Sequence, residues 1–215
     1  MRDKELYRKI LGIEEPWTVK DVELDRAKGE VRVVLEHRAG RRLCCPECGS
    51  PSPGYDARPR RWRHLDTCQF RTILVAQVPR VECPEHGVRQ ASVPWGEPGS
   101  GFTALFEALV IDWLQEASRS AVARQLGLGW DAVAGIMSRA VRRGLARRES
   151  RLPLRLGVDE VSFRKRPDYM TVVHDADRGV VVHVAEGRTW ECLDSFYRSF
   201  PKEERAGVES VTMDM

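Results

Sequence analysis

The sequence predicts an α+β protein of several domains, with a small β-rich zinc-ribbon domain, a three-helix domain and a mixed C-terminal part. Three observations support this. Two pairs of metal-ligand residues lie in the N-terminal part, an arginine-rich helical stretch follows, and the chain then returns to apolar strands. We expect a β/zinc-ribbon domain at 1–93, a linker at 94–100, a helical domain at 101–150 and a final domain at 154–215.

The composition is that of an ordinary globular protein, with 215 residues, 42% hydrophobic and 31% charged. No apolar run approaches the roughly 18 residues of a membrane helix, so we expect no membrane association. The N-terminus begins Met1-Arg-Asp-Lys-Glu and lacks the apolar core of a signal peptide. We therefore expect a cytoplasmic protein, in which six cysteines favour metal binding over disulfides.

Two short motifs predict the metal site. They are Cys45-Pro-Glu-Cys48 and Cys83-Pro-Glu-His86. Two residues between the ligands of a pair allow both side chains to face one ion, and the two pairs together supply four soft ligands. This is the pattern of a tetrahedral Zn²⁺ site, so the predicted zinc ligands are Cys45, Cys48, Cys83 and His86.

Strands are expected around these motifs. Residues 19–24 and 31–35 alternate or run apolar on either side of the turn at 27–29, and residues 71–78 form an apolar run between the two ligand pairs. The N-terminal 43 residues begin with a short amphipathic helix. This segment is therefore expected to be mainly β-structure.

A basic stretch from Arg58 to His64 surrounds Trp62, and it has two interpretations. It is either a solvated strand edge or a phosphate-contacting surface with one stacking aromatic. The sequence leaves both open. His64 is expected at the surface, and Cys68, which lacks a partner, is expected to be packed.

The middle of the chain predicts three helices. The first has an apolar stripe of Phe106, Leu109, Val110, Trp113 and Leu114. Ser118 can cap a short second helix, which Gly127-Leu-Gly129 ends. A third helix begins near Trp130. Its expected buried residues are Val133, Ile136, Met137, Ala140, Val141 and Leu145. A short helix, a glycine-containing turn and a longer helix are typical of a helix-turn-helix.

Charge supports a DNA-binding interpretation of these helices. Between Arg119 and Arg155 the sequence has nine arginines and two acids. Three of the arginines are expected on a helix face away from the apolar stripe, where they can contact phosphates and base edges. The candidate DNA-contacting residues are Arg139, Arg142, Arg143 and Arg147. The alternative is a plain three-helix bundle with an arginine-rich, solvated face.

The C-terminal part predicts three strands, a helix and a further strand. The strands are expected at 154–163, 169–174, 180–185 and 208–215, with the helix at 189–200. A three-stranded meander followed by a helix and another strand is the opening of an RNase H-like fold.

Two carboxylates are the candidate catalytic residues of this part. Asp159 lies in the first strand and Asp214 near the end of the fourth, and these strands are neighbours in such a sheet. Adjacent carboxylates can bridge the Mg²⁺ ions of two-metal phosphoryl transfer. Glu160 is expected on the opposite face because side chains alternate along a strand. Acids at strand ends are also common without a metal.

The order of these parts resembles the ISL3 family of bacterial insertion-sequence transposases. The stretches that carry the resemblance are 11–17, both ligand pairs, Val93-Pro-Trp95, the three helices, Leu156-Gly-Val-Asp-Glu160-Val-Ser-Phe163, Gly187-Arg-Thr189 and Ser210-Val-Thr-Met-Asp-Met215. The resemblance implies that the zinc ribbon and helix-turn-helix bind the terminal inverted repeats of a transposon. It also implies an RNase H-like domain that cuts and joins DNA with three acids and Mg²⁺.

The resemblance assigns Asp159 as the first acid of that triad and Asp214 as the second. The implied reaction is hydrolysis that frees a 3′-hydroxyl, followed by attack of this hydroxyl on target DNA. His86 stands where the family often has cysteine, and imidazole is also a good zinc ligand. The third acid, a glutamate far downstream in the family, has no counterpart in this sequence.

The interpretation is therefore a transposase truncated inside its catalytic domain, which binds transposon ends but has lost strand transfer. Two alternatives remain. One is a zinc and helix-turn-helix DNA-binding regulator without catalysis, and the other is a zinc-ribbon adaptor whose helices pack against protein. Double-stranded DNA in a bacterial nucleoid is the expected partner, and a homo-oligomer is compatible with all three.

Overall fold

The computed structural model describes residues 3–38, 40, 43–148, 151–162 and 168–213. These residues form mixed α+β structure, as expected. The chain divides into two compact units, Met1–Arg143 and Gly144–Met215. Among the described residues, no helix combines the length and apolar character that a membrane span needs.

The elements up to the end of the helical part are α1 (Asp3–Ile10), β1 (Trp17–Asp25), β2 (Glu30–His37), β3 (Gly54–Arg63), β4 (Arg71–Cys83), β5 (Gly87–Gln90), α2 (Ala104–Glu116), α3 (Arg119–Leu126) and α4 (Trp130–Arg147). The elements that follow are β6 (Arg155–Ser162), β7 (Tyr169–Asp175), β8 (Val180–Glu186), α5 (Trp190–Arg198), α6 (Lys202–Ala206) and β9 (Ser210–Met213).

The N-terminal strands form one sheet in the order β1-β2-β4-β3, with β5 paired to β4. Strands β2 and β4 are parallel, and the other pairs are antiparallel. Alternate residues of β2 and β4 are buried, because every second side chain points to the same face. These are Val31, Val33, Leu35, Leu74, Ala76 and Val78. The three strands expected in this region are confirmed.

Three tryptophans close one end of this core. The ring of Trp17 lies 4.8 Å from that of Trp95, and the ring of Trp62 lies 5.3 Å from it, both edge to face. Trp62 is 1% exposed, so it cannot stack on a nucleic-acid base, and that part of the interpretation is wrong. Phosphate contact by the arginines of the basic stretch stays a prediction. Trp95 brings the segment 94–100, expected to be a linker, into the same core.

Two side chains of the β-rich region differ from their expected positions. His64 is buried rather than exposed, and its Nδ1 lies 2.9 Å from the Thr103 hydroxyl. Burial lowers the pKa of His64 to about 4, since the charged imidazolium would lose its hydration. Cys68, expected to be packed, is exposed at a turn with a φ of 55°.

The three helices pack on one apolar core. The side chains of Thr103 and Ser118 cap α2 and α3, and Gly127 ends α3 in the left-handed region. The buried residues are Phe106, Val110, Val122, Ala123, Val133 and Ile136. Three residues expected inside are instead exposed, namely Trp113, Val141 and Leu145.

The second unit holds a sheet in the order β8-β7-β6-β9. The meander β6-β7-β8 is antiparallel, and β9 returns parallel to β6. Helix α5 covers one face, where Phe196 packs with Leu156, Val158 and Val173. The four strands and α5 confirm the expected order. The short helix α6 was missed, because Lys202–Ala206 has no apolar stripe.

Candidate metal centre and nucleic-acid interface

The four sequence-predicted zinc ligands come together in the structure. Their ligand atoms all lie within 4.8 Å of one another. The Sγ atoms of Cys48 and Cys83 are 3.7 Å apart, and the Nδ1 atom of His86 lies 3.5 Å from the Cys83 Sγ and 3.8 Å from the Cys45 Sγ. The edges of a tetrahedron with Zn–S near 2.3 Å and Zn–N near 2.0 Å are about 3.5–3.8 Å long. These three distances therefore match the edges of a tetrahedral zinc site, and the chemistry of the donor set suits Zn²⁺.

Two tight turns hold these ligands. The Gly49 amide donates to the Cys45 carbonyl, and Gly49 has a φ of 72°. The second turn joins β4 to β5, with Cys83 paired to Gly87 at its base and a φ of 66° at Gly87. Glycine adopts these positive φ values at little cost, so each ligand pair can fold back around one centre.

The helical arginines are placed differently from one another. The carboxylate of Glu107 on α2 is 1% exposed, and its Oε1 lies 2.7 Å from Nη2 and 2.8 Å from Nε of Arg139. Arg143 contacts Oε2 of the same carboxylate at 3.2 Å and also pairs with Glu97. Ser100 donates to Glu107 at 2.8 Å. The carboxylates of Glu107 and Glu97 thus balance the charges of Arg139 and Arg143.

This corrects the expected helix face. Arg139 and Arg143 follow the buried Ile136 by three and seven residues, so they lie near its side of α4 rather than opposite it. Sequence reasoning missed Glu107 as their partner. The sequence signal for this buried partner was an acid that directly follows the core residue Phe106. Its partners lie 32 and 36 residues away along the chain.

Other arginines of the helices remain at the surface. Arg142 and Arg124 are exposed, and Arg147 is exposed at the end of α4. Within the part of the chain that the structure describes, no carboxylate lies within ion-pair distance of the Arg142 guanidinium. The Arg119 guanidinium stacks 4.5 Å from the centre of the Trp130 ring, between the starts of α3 and α4. DNA contact by the four candidate arginines stays a prediction.

Asp159 occupies an exposed position on β6. Its Oδ1 accepts a hydrogen bond of 2.7 Å from the Glu160 amide. Val158 and Met213 are the last described pair of the parallel β6–β9 ladder. Asp159 directly follows Val158 in the chain, and Asp214 directly follows Met213. Asp214 lies outside the described residues, so the joint site of the two acids stays a prediction.

The face that carries Asp159 also explains Gly157. A Cβ atom on Gly157 would lie 2.1 Å from the Cε1 and Nε2 atoms of His174, which pairs with it across β6 and β7. Only glycine leaves room for that imidazole. Glu160 lies two residues after Val158 on β6 and pairs with Thr171 of β7. It therefore shares the face of Val158, opposite to the face of Asp159, as strand alternation predicts.

Comparison with known proteins decides the family. Residues 41–86 match the model of the zinc-finger of transposase IS204/IS1001/IS1096/IS1165, and residues 91–141 match the helix-turn-helix domain of transposase family ISL3. Residues 156–215 match the transposase domain of the same family. The chain belongs to the ISL3 transposase family. The zinc ribbon, the helix-turn-helix and the DDE transposase domain therefore follow one another as expected.

Two curated relatives show how far the likeness extends. The chain is 33% identical over 226 residues to the transposase for insertion sequence element IS1557 of Mycobacterium tuberculosis, covering 100% of this chain and 50% of the relative. It is 24% identical over 217 residues to the transposase for IS1001 of Bordetella parapertussis, covering 53% of it. This ISL3 chain thus spans about half the length of the curated relatives it matches. No solved structure matches it significantly.

Proposed function

We propose that this chain is the end-binding part of an ISL3 transposase, which holds the terminal inverted repeats of a transposon in double-stranded DNA. The observation that carries the proposal is the succession of three matching domains of one family. We keep the division into a β/zinc-ribbon domain at 1–93, a linker at 94–100, a helix-turn-helix domain at 101–150 and a partial catalytic domain at 154–215. The four-ligand cluster binds zinc. A homo-oligomer pairs the two transposon ends.

The helix-turn-helix supplies the DNA contact. Because Glu107 and Glu97 together already neutralise Arg139 and Arg143, the phosphate contacts fall to the exposed Arg142, with Arg119 and Arg124 on the preceding helix. Arg139 and Arg143 position α4 by fixing it to α2. Phosphate contacts by exposed arginines stabilise the complex through release of counterions, and this contribution depends strongly on salt.

The second unit supplies the start of the catalytic domain. The parallel pairing of β6 and β9 after a meander and a helix supports an RNase H-like sheet. Asp159 would be the first acid of the triad and Asp214 the second, and together they would hold Mg²⁺, which activates the attacking oxygen and stabilises the leaving one. Half the length of the relatives has no counterpart here. We therefore propose that these 215 residues bind ends without transferring strands.

A regulator without catalysis is the alternative function. It would bind DNA equally well but would have no use for the Gly157-to-Glu160 strand. The match of residues 156–215 to the transposase domain favours the transposase instead.

The experiment is a fluorescence-anisotropy titration of the zinc-loaded chain with duplexes that carry the two ends of the DNA element encoding it, and with scrambled duplexes. We expect tighter binding to the ends. Arg142→Gln should lower the slope of log K against log salt by about 0.9, the value for one phosphate contact. Arg198→Gln, on α5, is the charge-matched control. Equal affinity for ends and scrambled DNA would contradict end recognition.

The catalytic half of the proposal is tested on a supercoiled plasmid with Mg²⁺. The chain alone should give no joined products. Joined products that disappear in Asp159→Asn would show that these residues suffice for strand transfer.

A further inference from the structure

A cleft lined by four arginines lies in the second unit. Its volume is 480 Å³. The arginines come from the end of α4, the segment after it and the turn between β7 and β8. They are Arg147, Arg148, Arg151 and Arg178. Among the described residues that line the cleft, Asp175 is the one acid, so this lining carries a clear excess of positive charge.

The cleft is held in shape by a hydrogen bond between Arg148 and the sheet. The Nη1 atom of Arg148 donates to the Val182 carbonyl at 2.9 Å. The register of β7 and β8 shifts at this point, which leaves Val182 without a partner on β7. An unpaired residue in a β-bulge offers its backbone groups to other partners. The bulge thus lets Arg148, which follows α4, bond to the edge strand β8.

Asp175 and Asp177 are already engaged by other groups. The Oδ1 atom of Asp175 accepts hydrogen bonds of 3.0 Å from the amides of Asp177 and Arg178, which caps the β7–β8 turn. The Asp177 carboxylate lies 3.1 Å from Arg155, outside the cleft. The guanidinium groups of Arg151 and Arg178 have no ion-pair partner among the described residues. They are therefore available to an external anion.

We propose that this cleft binds the phosphodiester backbone of DNA, as a second contact on the catalytic unit separate from the helix-turn-helix. Guanidinium groups bind phosphate oxygens with two parallel N–H donors, and several of them around one cleft fit successive phosphates of a strand. The inference rests on the proposed function, because it assigns the cleft to the same DNA. A free nucleotide carries the same phosphate chemistry, and the test separates the two sources.

The test compares two double variants of the full zinc-loaded chain in anisotropy titrations with duplex DNA at several salt concentrations. Arg151→Gln with Arg178→Gln removes two cleft charges. Arg198→Gln with Arg205→Gln removes two charges from α5 and α6 and serves as control. All four side chains are exposed, so folding should be kept, which circular dichroism and zinc content verify.

The cleft variant should lower the slope of log K against log salt by about 1.8, the value for two phosphate contacts. The control should leave it unchanged. Equal slopes for the two double variants would overturn the proposal. So would tight binding of ATP that only the cleft variant loses while its DNA slope stays at the wild-type value. Arg142→Gln reports on the helix-turn-helix independently, so failure of the cleft and failure of end binding are distinguishable.

Discussion

The buried carboxylate of Glu107 lies 2.7 Å from the guanidinium of Arg139 and joins α2 to α4. Arg143 and Ser100 complete its contacts. The pair holds α4 against α2. A charged residue therefore does in this protein what an apolar contact does in most helical bundles.

Glu107→Ala should lower the free energy of unfolding by about 3–5 kcal/mol, because it leaves Arg139 charged and poorly solvated without its partner. Urea unfolding of the zinc-loaded protein measures this. Glu97→Ala removes the more exposed partner of Arg143 and should cost about 1 kcal/mol or less. A loss for Glu107→Ala no greater than that for Glu97→Ala would show that the buried pair does not hold the helices.

The zinc site predicts a stoichiometry of about one ion per chain and a dependence of the fold on it. Cys83→Ser should abolish tight binding and unfold the segment between the ligand pairs. Cys44→Ser is the matched control, since Cys44 is exposed and adjoins a ligand without joining the cluster. Elemental analysis of freshly purified protein checks both. Full zinc content in Cys83→Ser, or loss of zinc in Cys44→Ser, would contradict the assigned ligand set.

Gly157→Ala should destabilise the second unit by about 1–3 kcal/mol, because the added methyl group collides with the His174 ring. His174→Ala in the same chain should recover most of that loss by removing the obstacle. Thermal unfolding of the two single variants and the double variant measures the coupling free energy between residues 157 and 174. Additive losses would show that the two residues do not meet as described.

His64 predicts a pH dependence of stability. Its pKa is lowered to about 4 by burial, so the folded protein keeps it neutral while the unfolded chain takes up a proton below about pH 6.5. The contribution of neutral His64 to the free energy of unfolding is therefore complete above about pH 6.5. It is lost as the pH falls toward 4. When the pH is lowered from 7 to 5, the free energy of unfolding of the wild-type protein should fall by about 2 kcal/mol more than that of the His64→Asn variant.

Urea unfolding at several pH values, followed by tryptophan fluorescence, measures this difference. Protonation of the zinc ligands affects both proteins alike and cancels in the comparison. A difference between the two proteins that does not change with pH would contradict a buried, neutral His64.

Local patterns predicted the elements well, but they could not show which distant residues meet. The ligand spacing identified the cluster of Cys45 to His86, and apolar runs identified most strands. Glu107 was missed because its partners come from another helix. Trp62 was open to a surface interpretation because only the sheet places it beside Trp95. Gly157 has no signal in its own strand, since the His174 ring that requires it comes from the next one.

The proposed function requires that β6 and β9 bring Asp159 and Asp214 into one divalent-metal site, and titration with Mn²⁺ followed by electron paramagnetic resonance is the direct test. Mn²⁺ takes the place of Mg²⁺ at oxygen ligands. Binding should be lost in both Asp159→Asn and Asp214→Asn and kept in Glu160→Gln, whose side chain belongs to the opposite face. Unchanged binding in Asp159→Asn, or loss of binding only in Glu160→Gln, would contradict the claim.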